Sequence, residues 1–107
     1  MTSFMMVTPV EKGIMRCQHT GALSPEDVRA LASFFYDYRG KLLIDLRGTT
    51  GEECARHIKN LRPMMPTAAI FGAPIDPAIL EIPGSYYTKE VRYFETEQEA
   101  LAWLREQ

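Results

Sequence analysis

KLLIDLRGTTGEECARHIKNLR, residues 41–62, decides the fold of this chain. Leu42–Leu46 is an apolar run with almost no alternation, the pattern of a strand in the middle of a parallel or mixed sheet. Thr50-Gly51-Glu52-Glu53 has the T-x-x-E spacing of a capping box, in which hydroxyl and carboxylate satisfy reciprocal backbone donors at a helix start. Cys54, Ile58 and Leu61 then recur as an apolar stripe. Glu52 and Glu53 stand at the positive end of the helix dipole, and Lys59 and Arg62 at the negative end. Pro63 ends the segment. The stretch is therefore a strand, a Gly/Thr turn and a helix. Two threonine hydroxyls sit at the helix N-terminus, a position suited to an anion, a phosphate or a partner protein.

Working outward, Phe4–Val7 and Ile14–Thr20 are expected strands joined by a turn around Pro9–Gly13. In the second, Met15, Cys17 and His19 alternate with Arg16, Gln18 and Thr20, which argues for one buried face. Ser24-Pro25-Glu26-Asp27 is a helix start, with an N-cap hydroxyl, proline at the first position and two acids behind it. Val28, Leu31, Ala32, Phe35 and Tyr38 recur at helical spacing through about Arg39, and Gly40 supplies the expected stop. Thr67–Phe71 and Val91–Phe94 are further strands. Asp76-Pro77 opens a brief helix through Ile82. Thr96-Glu97-Gln98-Glu99 caps a terminal helix that buries Ala100, Leu101 and Leu104. The order β-β-α-β-α-β-α-β-α predicts an α/β domain: a mixed sheet of about five strands, about four helices, and a hairpin from the first two strands.

A chain of 107 residues is one domain, 1–107, by length, and 46% hydrophobic with 24% charged residues is an ordinary globular composition. The net charge of -2 leaves no electrostatic footprint for nucleic acid. The uncharged stretch Pro63–Ile75 is broken by prolines and too short to cross a bilayer, so no integral membrane segment is expected. No basic residue precedes the apolar residues at the N-terminus, a poor start for a signal peptide. Two cysteines, Cys17 and Cys54, make neither a disulfide scaffold nor a metal framework, and a cytoplasmic protein with free thiols is the simplest expectation. No metal or cofactor is implied.

The chain resembles the SpoIIAA-like group of STAS and CRAL-TRIO-type small bacterial proteins over roughly Met6 to Leu104. The resemblance is carried by KLLIDLRG at 41–48, VRYFETEQEALAWL at 91–104 and GIMRCQHTGALSPED at 13–27. It implies a layered domain that acts by binding rather than catalysis. In STAS anti-sigma-factor antagonists, an Asp-Ser-Ser-Gly element after the central strand carries a phosphorylatable serine. Gly48, Thr49, Thr50 and Gly51 stand in that place here, with Gly rather than Asp ahead of the hydroxyl pair. The CRAL-TRIO side of the resemblance implies an apolar ligand instead.

Five groups of residues are candidates for function. Thr49 and Thr50 are phosphoacceptor or docking hydroxyls, or else simple helix caps. Arg47, after a strand's carboxyl end, can hold a phosphate or carboxylate there, or pair with Glu52 at the surface. Cys54 and His57 could meet on one helix face as nucleophile and base, though the register of Cys54 with Ile58 and Leu61 places it in a core. His19 and Asp45 could converge as an acid/base pair or a structural tie. Met64, Met65, Ile75, Ile79, Tyr86 and Tyr87 form either an adaptable apolar lip for a ligand or partner, or a lid over the core. The expected role is a non-catalytic regulatory module that binds a protein through the Gly48–Glu53 loop and helix start. A carrier of a small apolar ligand or lipid is the alternative, and an enzyme built on Cys54 and His57 stands behind both. A homodimer is compatible with either binding role.

Overall fold

The computed structural model describes residues 4–21, 24–48, 57, 61, 65–72 and 90–107. Five strands form one sheet in sequential order: β1 (Phe4–Glu11), β2 (Ile14–Thr20), β3 (Lys41–Gly48), β4 (Ala68–Phe71) and β5 (Val91–Tyr93). β1 and β2 are an antiparallel hairpin, and β2, β3, β4 and β5 then run parallel. This is the expected mixed sheet, with the apolar run of 42–46 on its central strand. Two helices are described in full, α1 (Pro25–Asp37) and α2 (Glu97–Glu106), and His57 and Leu61 are helical as well. The rest of the helix expected over residues 50–62 and the brief one from Asp76 lie outside the described residues.

Side chains alternate across the sheet and sort into two cores. On one face Cys17, Leu42, Ile44, Leu46, Ala68, Ile70 and Val91 pack with Leu31 and Phe35 of α1 and with Leu61 and Met65. On the other, Ile14, Leu43, Ala69 and Phe71 pack with Ala100 and Leu104 of α2. The sheet is thus the middle layer of a three-layer domain, which is why β3 and β4 lack the polar alternation of a one-sided sheet.

Local chemistry explains most boundaries. At the start of α1, the Ser24 hydroxyl accepts from the Asp27 N–H, and the Asp27 carboxylate accepts from the Ser24 N–H, a full capping box. At α2, the Thr96 hydroxyl accepts from the Glu99 N–H at 3.2 Å but donates its own proton to the Glu99 carboxylate at 2.9 Å, so the expected reciprocal box is only half made.

Two expected boundaries are corrected. The first strand runs on through Pro9 to Glu11, and the turn shrinks to Lys12 and Gly13, with Gly13 at φ +83. A register shift between Pro9 and Glu11 accommodates the proline, which an edge strand tolerates. Secondly, α1 stops at Asp37. Tyr38 turns extended, and its hydroxyl donates to the Lys41 carbonyl at 2.9 Å. Gly40 is then required for close approach to that tyrosine ring rather than as a left-handed helix cap, since its φ is not positive.

Polar straps hold α2 across its sheet face. Near its start Glu97 pairs with Arg16 of β2. Near its end the Lys41 Nζ donates to the Leu104 carbonyl at 3.0 Å, and Arg105 pairs with Glu11 at 2.9 Å. Among the described residues, no helix is long and apolar enough to cross a membrane.

Candidate functional site

Asp45 is the unusual residue of the central strand, a carboxylate with no solvent exposure between the core residues Ile44 and Leu46. Burying a charge without partners costs several kcal/mol or more, so its surroundings must supply counter-charge. Parity supplies it. Arg47 lies two residues on, hence on the same face of β3, and Gln18 of β2 is paired beside Asp45, which brings Arg16 to that face too.

The contacts are dense. Arg47 donates Nε to Asp45 Oδ1 at 3.0 Å and Nη2 to Oδ2 at 2.7 Å, and its backbone N–H also donates to Oδ1 at 3.0 Å. Arg16 donates Nη1 to Asp45 Oδ2 at 3.0 Å and reaches Glu97 with its other nitrogen. Burial pushes the Asp45 carboxyl upward. The hydrogen bonds from the Arg47 side chain and backbone, with the charges of Arg47 and Arg16, outweigh that and hold it below its ordinary value. The same carboxylate keeps the Arg47 guanidinium firmly protonated.

Two neighbours at the end of β4, Phe71 and the following Gly72, fix Arg47. Its guanidinium carbon lies 5.3 Å from the centre of the Phe71 ring. Gly72, at φ +104, comes so close that a Cβ there would sit 2.7 Å from the Arg47 backbone nitrogen. The outcome is an arginine anchored at its root by a buried acid, resting on an aromatic ring, with its side chain 58% exposed at the carboxyl ends of the parallel strands. Ligands of open α/β sheets bind outside the carboxyl ends of the strands.

The expected partnerships fare differently. Arg47 pairs with Asp45, a partner not anticipated for it. Glu52, Thr49 and Thr50 lie outside the described residues. His19 and Asp45 do not converge. Gln18 is the residue paired with Asp45, so His19, one residue further on, points to the opposite face, where it is 4% exposed. His57 is helical and half-buried, while Cys54 lies outside the described residues. Of the six apolar candidates, Met65 is 3% exposed and packed in the α1-side core. Met64, Ile75, Ile79, Tyr86 and Tyr87 lie outside the described residues. The Cys17 thiol is buried, which pushes it up to about 11, far from the range of a reactive thiolate. Among the described residues, no group of three His, Cys, Asp or Glu side chains could hold a metal ion.

Arg16, Phe71, Gly72 and Glu97 belong to this site and are not evident from local sequence. A usable signal was present in Asp45 itself: a carboxylate inside an otherwise apolar central strand requires cations on its own face.

Comparison with the curated proteins gives no match. The family model described as SpoIIAA-like matches residues 14–105, from the start of β2 to the last turn of α2. That span takes in β2 to β5, α1, all but the last residue of α2 and every member of the Asp45 cluster, and on it the chain belongs to the SpoIIAA-like family.

Proposed function

We propose that this protein is a non-catalytic regulatory module that docks a protein partner through the carboxyl edge of its central strand. The docking surface comprises Arg47, the Gly48–Glu53 loop and the helix start, with Thr49, Thr50 and Glu52 as its other contact residues. One observation carries this reading. Arg47, the penultimate residue of β3, is immobilised by a buried carboxylate yet stands 58% exposed where that loop begins. Fixing a side chain before binding lowers the entropic cost of association, and arginine is a favoured anchor in protein interfaces. Family membership agrees with a binding role. A helix start tolerates added negative charge, so modification of Thr50, at the helix start expected from the sequence, would retune docking without unfolding the domain.

The apolar-carrier alternative finds only Met65 among the described residues, and that side chain is committed to the core.

The test compares partners recovered from host lysate by wild type and by the Arg47→Glu, Thr50→Glu and Thr50→Ala variants, using quantitative mass spectrometry. Loss of a specific set with Arg47→Glu, and its reduction by a change at Thr50, is expected. Identical recovery by all four proteins would remove this edge from consideration.

A further inference from the structure

Arg47, Arg92 and Arg105 have the same side-chain exposure, 58%. Their anchors differ. Arg92 faces Glu90 at 3.4 Å and lies 5.4 Å from the Trp103 ring centre, Arg105 faces Glu11 at 2.9 Å, and both of those carboxylates are themselves exposed. Of these three, Arg47 alone is tied to a carboxylate wholly removed from solvent.

Asp45 engages Arg47 from the side, through Nε and Nη2. A guanidinium carries five N–H donors in one rigid plane. Side-on engagement leaves the outer edge, made of Nη1 and the second N–H of Nη2, without a partner among the described residues. The Phe71 ring centre lies 5.3 Å from the guanidinium carbon and Gly72 presses against the backbone; together with Asp45 they restrict the direction of this outer edge.

The geometry points to the outer edge of Arg47 as a receiving site for a carboxylate, that of an Asp or Glu side chain on the docking partner. This rests on the docking edge proposed above and adds the chemistry that the edge recognises. Two parallel N–H bonds match the two coplanar oxygens of a carboxylate, the fork geometry in which arginine outperforms lysine. Charge disfavours a dianion. Arg16, Arg47, Asp45 and Glu97 together balance to zero, so the cluster has no excess positive charge to meet a phosphate dianion.

The experiment follows arginine Nε–H and backbone amide signals of the full chain by NMR at constant ionic strength. Three probes are used: N-acetylglutamate α-amide, its neutral N-acetylglutamine counterpart, and inorganic phosphate. A saturable response to the glutamate probe is expected at Arg47 and Gly72, several-fold larger than at Arg92 and Arg105. The glutamine probe gives none, and phosphate saturates only at higher concentration. Arg47→Lys, with its backbone spectrum otherwise intact, loses the response; the wild-type titration stands alone if that variant fails to fold. Equal responses at all three arginines, no response, or tighter saturation by phosphate would overturn the assignment. Partner recovery abolished by Arg47→Glu without a response to the glutamate probe would likewise overturn it and leave the docking edge in place. A saturating response with unchanged partner recovery would uphold the carboxylate site and remove the docking edge.

Discussion

Asp45 and Arg47 stand two residues apart on one face of the central strand, and the arginine folds back to give the buried carboxylate three side-chain hydrogen bonds, from Nε and Nη2, and one from its own backbone. The pair converts a core position into an anchor for the sheet's exposed edge. Asp45 also holds Arg16, and Arg16 holds the start of α2 through Glu97. One carboxylate therefore links β2, β3, α2 and the proposed docking edge.

Removing that carboxylate should cost more than removing either end of the chain of contacts. Asp45→Ala is expected to destabilise the domain by about 3 kcal/mol, since two arginines lose their buried partner. Arg47→Ala should cost less, about 2 kcal/mol, because the buried Asp45 loses its main partner but keeps Arg16 and the residue-47 backbone N–H. Urea unfolding with a shared slope measures both. Equal losses would mean that Asp45 acts through Arg47 alone.

The pH dependence has a definite sign. Asp45 has a lower pKa folded than its ordinary 3.8, so its contribution is fully present above that value. It is lost as pH falls from there through the folded pKa. Wild-type stability should therefore drop more steeply on acidification than that of Asp45→Asn, and the gap between the two should narrow below the ordinary carboxylate range. Parallel curves would contradict the assigned role of Arg47 and Arg16.

Gly72 and Gly13 both have positive φ, +104 and +83, but only Gly72 lacks room for a side chain. Gly13→Ala meets no atom and should cost about 1 kcal/mol, the conformational penalty alone. Gly72→Ala adds a clash with the Arg47 backbone and Cγ and should cost clearly more. It should also displace Arg47, visible as a shifted Nε–H signal. Thermal unfolding of the two variants supplies the comparison.

Cys17, buried and with its thiol raised to about 11, should resist iodoacetamide at neutral pH in the folded protein. Peptide mass spectrometry separates it from Cys54. Modification of Cys17 in denaturant but not in buffer is the expected result, and rapid labelling in buffer would show that this face of β2 opens readily.

Local signals made much of the architecture legible. Ile14–Thr20 was bounded by its alternation and by Gly21. The starts of α1 and α2 were marked by Ser24 and Thr96, because capping is settled within four residues. What escaped was non-local. Tyr38 ends α1 early because its hydroxyl has a partner on Lys41, and Pro9 stays in β1 because that strand is at an edge. The pairing of Gln18 with Asp45 decides that His19 faces away and Arg16 faces in, and only the register of two strands fixes that. The Arg47–Asp45 contact was in principle readable, since residues two apart on a strand share a face. The expected pairing with Glu52 overlooked it.

The most direct test of this account is the mobility of the Arg47 Nε–H group, measured by heteronuclear NOE beside Arg92 and Arg105. An anchored Arg47 predicts backbone-like rigidity in wild type, lost in Asp45→Asn, with the other two arginines mobile in both proteins. An Arg47 as mobile as Arg92 and Arg105 in wild type would contradict the claim that a buried acid fixes the docking edge.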